Sequence, residues 1–171
     1  MPKTILIPTD FTVKSLNLAK ISLQKALENN EKLTLILIHG YWMPSSISDL
    51  LFYSKSKLLD KLETPDFKAS CKLLMGKYEQ VIEKMTIDIF SGTNQNAFDN
   101  YLEANNIQEV YLSKNYKFKF KSSNSFDLTP YFSKSKLNTI EVNWEAIPSV
   151  SQESSQDELA ALFFNHGQVA H

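Results

Sequence analysis

Short, fully apolar runs alternate along this chain with longer stretches whose apolar residues recur at helical spacing. Thr4 to Pro8 (TILIP) and Leu33 to Ile38 (LTLILI) are too brief for helices and rich in branched side chains, the pattern of strands buried on both faces. Between them Leu16, Ala19, Leu23, Ala26 and Leu27 repeat at intervals of three and four, which predicts a helix from Ser15 until Asn29 and Asn30 stop it. A strand, a crossover helix and a second strand predict parallel pairing with a right-handed connection.

Tyr41 to Ser48 contains Pro44 and three serines and predicts a loop. Helical spacing returns over Asp49 to Leu62 and Phe67 to Ile82, with a break at Thr64, Pro65 and Asp66, so two helices are expected there. Met85 to Phe90 (MTIDIF) alternates apolar with polar residues, as a strand near a sheet edge does. A turn at Gly92, a helix through Ala97, Phe98, Tyr101, Leu102 and Ala104, and a strand at Val110 to Leu112 follow. Asp127 then precedes a short helix, Leu128 to Ser135, and Leu137 to Trp144 is the final strand. Such alternation predicts an α/β fold, a three-layer doubly wound sandwich around a five-stranded, mostly parallel sheet.

That domain is expected over residues 1–144. Residues 145–171 read as a polar linker and a short C-terminal helix over Gln156 to Phe164, opened by a Ser155/Glu158 capping box and closed before Gly167. The helix has no basic face, so docking on its own domain or on a partner subunit is expected in preference to a membrane.

Composition narrows the function classes. A chain of 171 residues hides roughly 70% of its unfolded surface, enough for one core without staples. Its one cysteine, Cys71, has no internal disulfide partner, and the apolar run before Pro8 and Asp10 is far shorter than a signal or membrane segment. A cytoplasmic location, with no membrane partner, is the expectation. Net charge is −1, and all 18 basic residues are lysine. Without arginine's planar fork, no nucleic-acid partner is expected.

Ile5 to Phe11 (ILIPTDF), with Ser15 and Leu16 opening a helix and LILIHGY ending past His39, is similar to the universal stress protein family. Gly92 sits where that family has the glycine after its third strand. Ala97 to Ser113 (AFDNYLEANNIQEVYLS) resembles its helix running into its fourth strand, and Thr139, Ile140 and Val142 its last strand. The match covers about residues 3–144. It implies an adenine nucleotide alpha hydrolase-like sheet, a homodimer paired through the last strand, and stress-linked regulatory roles; many members bind ATP and others do not.

The same resemblance locates a nucleotide cleft at the carboxyl ends of strands one and four, lined here by Pro8, Thr9, Asp10, His39, Ser113, Lys114 and Asp127. The family's loop places three glycines and a serine or threonine there, and this chain reads Ser113, Tyr116, Phe126 and Asp127 instead. Glycine lets such a loop take positive φ and approach phosphate closely; another residue costs about 1 to 2 kcal/mol at each such position. An aspartate about 5 Å from a phosphate repels it by ~3 kcal/mol, more than the ~0.3 to 1 kcal/mol a helix terminus offers. The cleft is therefore expected to be vestigial, with no cofactor. Asp127 is expected to cap the following helix, and Asp10 the first one.

Other candidates have structural readings. Lys114, Lys117, Lys119 and Lys121 alternate with aromatic residues, as in a strand-like flap with one solvated face. They also form a patch for an acidic protein partner or, in the alternative, for ATP held without glycines. His39, His166 and His171 have no metal-ligand spacing, Cys71 sits in an apolar helical stripe, and no serine stands in a nucleophile elbow. No catalytic or metal residue is expected. The leading expectation is a dimeric regulatory or interaction module with contact surfaces at the tail and the flap.

Overall fold

The computed structural model describes residues 1–143. Trp144 and the expected linker and helix of residues 145–171 lie outside the described residues. Six strands form one sheet: β1 (Lys3–Pro8), β2 (Leu33–Tyr41), β3 (Ile82–Phe90), β4 (Glu109–Ser113), β5 (Ser125–Phe126) and β6 (Asn138–Val142). The order is β3-β2-β1-β4-β6, all parallel, and β5 pairs antiparallel with the end of β2. The expected five-stranded sheet is thus corrected to six, because a two-residue strand leaves no periodicity to read.

The helices are α1 (Asn17–Asn29), α2 (Ile47–Leu51), α3 (Lys55–Leu62), α4 (Pro65–Lys77), α5 (Gln95–Ala104) and α6 (Thr129–Lys134). They make the two outer layers. Ile5, Ile7, Leu35 and Leu37 pack against Leu16, Leu23, Phe67 and Leu74 on the α1/α4 face. The alternate residues Leu6, Ile36, Ile38 and Val110 pack against Phe98, Leu102 and Phe132 on the α5/α6 face. Phe98 is fully buried and meets Phe90 and Phe132 at ring distances of 5.3 Å. Such pairs contribute ~0.5 to 1.5 kcal/mol each beyond their burial.

Local chemistry sets the boundaries. Asn30 ends α1 in the left-handed conformation (φ 55°), donating its N–H to Ala26 and Leu27 carbonyls. Thr64 Oγ1 accepts from Phe67 N–H at 3.1 Å, and Pro65 occupies the first turn of α4, so the break expected there is real. The region holds three helices rather than two, and the last stops at Lys77 because Ile82 already belongs to β3. Tyr41 extends β2 rather than opening a loop. Gly76 lies in α4, where an added Cβ would meet nothing within 4 Å. Gly76→Ala is expected to raise stability by about 0.5 to 1 kcal/mol, read as a higher urea midpoint, since glycine gives up more chain entropy on forming a helix.

Among the described residues no helix is long and apolar enough to cross a membrane.

Candidate functional site

The strand order turns outward from β1 to β2 and β3 on one side and to β4 and β6 on the other. This reversal opens a crevice at the carboxyl ends of β1 and β4, where doubly wound sheets hold ligands. Here β1 delivers Pro8, Thr9 and Asp10, β2 delivers His39 and Gly40, and β4 delivers Ser113. The chain then crosses this crevice as a flap over residues 114–126.

Asp10 is 5% exposed and is the hub of the turn. Its Oδ1 accepts from Thr12 N–H (3.0 Å) and Thr12 Oγ1 (2.6 Å), which closes the turn after β1. Its Oδ2 accepts from the flap, from Tyr116 Oη at 2.7 Å and Lys119 N–H at 2.9 Å. Thr12 Oγ1 and Tyr116 Oη lie 2.8 Å apart, completing a triangle of two hydroxyls and a carboxyl group. The first helical turn is a 3-10 turn over Lys14–Leu16, whose Ser15 N–H donates to Thr12 Oγ1 at 3.2 Å and not to Asp10. The expected capping role of Asp10 is therefore corrected: the short side chain folds onto Thr12 and reaches the flap, two residues short of that helical start.

Phe11, next in the turn, takes φ 62° although it is not glycine. A left-handed residue of this size costs about 1 to 2 kcal/mol. Its N–H donates to Thr9 Oγ1 at 3.1 Å, and its buried ring packs on His39 at 4.6 Å and edge-on to Phe67 at 5.3 Å. These contacts offset the strain.

His39 ties the end of β2 to both neighbours. Nδ1 lies 2.8 Å from Thr9 O and Nε2 lies 2.8 Å from Ser125 Oγ. A carbonyl only accepts, so Nδ1 carries the hydrogen and Nε2 accepts from the Ser125 hydroxyl. Burial pushes the His39 pKa below 6.5, opposed in part by the Thr9 carbonyl and Asp10. The unfolded chain then takes up a proton more readily than the folded one, so this contribution is present above pH 6.5 and is lost as pH falls through the lower folded value. A urea midpoint that drops between about pH 7.5 and about pH 5.5, with a smaller drop in His39→Gln, is the expected outcome.

The flap alternates as its sequence does: Tyr116, Phe118 and Phe120 are half-buried while Lys117, Lys119 and Lys121 are exposed. Phe118 and Phe120 stack at 5.8 Å, and Phe120 meets His39 edge-on at 5.7 Å. Phe126 packs on Gly40, where a Cβ would stand 2.7 Å from the Phe126 carbonyl oxygen. Between Pro8, Thr9, Phe118, Phe120 and Phe126 there remains a half-open gap of about 10 Å³. That is about the least that admits one water, whereas small-molecule pockets run to roughly 300 to 1,000 Å³. A hollow of about 880 Å³ lies at the opposite end of the sheet beside Met1, Leu102 and Leu137. It is an open surface trough lined by none of the crevice residues, and the crevice rather than the trough is the candidate site.

Two expected site residues stand apart. Lys114 pairs with Glu141 on β6. Asp127 is exposed, accepting from Thr129 N–H (2.8 Å) and Thr129 Oγ1 (2.6 Å) just before α6. The expected capping role is met in part: Asp127 accepts the first N–H of α6, but as a turn onto Thr129 from one position ahead of the N-cap residue Leu128, and the acid in the crevice is Asp10. Thr12, whose turn chemistry the sequence suggests, Gly40 of LILIHGY and Ser125 complete the site, and only Ser125 carries no pattern that marks it. Among the described residues no group of three His, Cys, Asp or Glu could hold a metal ion. Cys71 is buried, and burial together with Glu63 pushes its thiol up to about 12, which keeps it protonated and unreactive.

No protein-family model matches the chain, and no curated protein matches it. Solved structures match by shape. A universal stress protein in complex with cAMP is 13% identical, with 82% of this chain and 97% of that one covered at a TM-score of 0.52. The universal stress protein UspA from Lactobacillus plantarum is 15% identical over 82% and 97%, at a TM-score of 0.54. At such identities the likeness is one of fold. The protein thus has the α/β architecture of universal stress proteins, a mostly parallel six-stranded sheet between helical layers.

Proposed function

We propose that this protein is a cytoplasmic regulatory or interaction module of the universal stress protein type, without catalysis, in which the flap occupies the place of a nucleotide. Ordinary ATP binding is lost. The observation that carries this reading is the flap lying in the crevice: Phe118 and Phe120 leave a gap of only about 10 Å³ against Pro8 and Thr9, and the Asp10 carboxyl group accepts from four donors of the chain itself. A triphosphate has neither volume to enter nor an open backbone cradle. One solved neighbour holds cAMP, so both nucleotides are informative probes.

A second reading, a nucleotide held by lysines in place of glycines, draws on Ser113. Its Oγ is buried at the end of β4 with no hydrogen-bond partner among the described residues. Lys114 does not aid that reading, being engaged by Glu141. Millimolar ATP with magnesium, or cAMP, is expected to leave the melting temperature unchanged. A ligand at a hundred times its Kd adds about 2.7 kcal/mol, so a clear rise overturns the reading.

Dimerisation through β6 belongs to the same proposal. Among the described residues β6 pairs only with β4, and no strand among them covers its outer edge along Thr139, Ile140 and Val142. Sedimentation of the full chain at micromolar concentration distinguishes the dimer expected from a monomer, which would remove this part.

A further inference from the structure

Helix α2 turns its apolar face outward. Ile47, Leu50 and Leu51 share one side of the helix and Ser48 and Asp49 the other. An amphipathic helix ordinarily covers the core with its apolar side. Here Ile47 is 77%, Leu51 75% and the following Phe52 83% exposed, and no side chain of α2 is buried, whereas α3 lays Leu59 and Leu62 against the core. Large apolar side chains grouped in water in this way mark a contact surface.

Cations stand at the same end of the sheet. Trp42, between β2 and α2, stacks on Phe126 at 4.1 Å and donates its backbone N–H to Asn124 O at 2.8 Å, which fixes the root of the α2 segment to the flap. The exposed lysines of that flap, Lys117, Lys119 and Lys121, form no ion pair among the described residues. In an extended segment alternate residues recur about every 7 Å, giving a row of positive charge.

We propose that this end of the protein docks on an anionic bilayer surface, with Ile47, Leu51 and Phe52 entering the headgroup region and the flap lysines facing acidic lipid. The shape favours lipid over a protein groove. Side chains exposed to this degree stand out from the surface as a group, and a bilayer yields around them where a protein partner would need a matching hollow. A second copy of the same surface would set the lysine row against like charge, whereas acidic lipid complements it. Apolar insertion and basic attraction are the two signals that together hold a peripheral protein, and tryptophan is at home at that depth. The inference stands independently of the closed crevice.

The test is co-sedimentation of the full chain with vesicles of phosphatidylcholine alone and with about 30% phosphatidylserine added. Binding to the acidic vesicles, weakening with salt, is expected. The Leu51→Asp/Phe52→Asp variant should bind at least about tenfold more weakly with an unchanged melting temperature, and Lys117→Gln/Lys119→Gln/Lys121→Gln should lose a similar factor on acidic vesicles only. No binding by the unaltered chain, or binding that both variants leave intact, overturns the proposal. So does a change of sedimenting mass in the apolar variant without vesicle binding by the parent, which would assign the patch to self-association.

Discussion

Asp10→Ala is expected to lower the melting temperature by roughly 6 to 12 °C, the largest effect of any single change at the crevice. The substitution removes the acceptor for Thr12 N–H and Lys119 N–H, both in a part of the molecule where Asp10 itself is nearly inaccessible. Each buried donor left unpaired costs about 1 to 3 kcal/mol, while the two hydroxyls at 2.8 Å can still satisfy one another. A total of ~3 kcal/mol in a domain of this length corresponds to that shift. Tyr116→Phe deletes one hydroxyl and leaves both amides bonded, so it should cost only ~1 kcal/mol. Equal losses in the two variants would mean that Asp10 does not organise the turn and the flap together.

Gly40→Ala should destabilise by about 2 to 3 kcal/mol, the opposite direction to Gly76→Ala, although both add one methyl group. The new Cβ would lie 2.7 Å from the Phe126 carbonyl oxygen and 2.9 Å from its ring. A ring can rotate away, but that carbonyl belongs to β5, which is paired with β2 at Gly40 and Tyr41. The relief available is for β5 to leave the sheet and take Phe126 and the Trp42 stack with it. Trp42 fluorescence should shift to the red along with the fall in urea midpoint. An unaltered spectrum and midpoint would show that β5 is not held against Gly40.

The strands were legible because burial on both faces writes an unbroken apolar run, as in LTLILI, and because the polar residues Thr86 and Asp88 alternating in MTIDIF marked β3 as an edge. The flap was legible too: lysine and aromatic residues alternate, and the aromatic side turns inward. What escaped was set by contacts far apart in the chain. Nothing local to Ser125 and Phe126 announces a strand, since its partner lies some 85 residues earlier. Asp10 followed by Thr12 suggested a helix cap, whereas its second oxygen is claimed by residues 116 and 119. Asp127 sits in sequence where the resemblance places a phosphate loop, yet its side chain closes on Thr129 and leaves the crevice to phenylalanines. Likewise α2 carried helical spacing without any sign that its apolar side would face water.

The amide of Lys119 reports most directly on whether the flap occupies the crevice, because its hydrogen points to Asp10 Oδ2 at 2.9 Å although the lysine side chain is exposed. In ligand-free protein, hydrogen exchange at this amide should be slowed by roughly a hundredfold or more relative to an unstructured chain, and should quicken in Asp10→Ala. Exchange at the unstructured rate would place the flap away from the crevice and leave the site open to a nucleotide, contrary to everything argued from its closure.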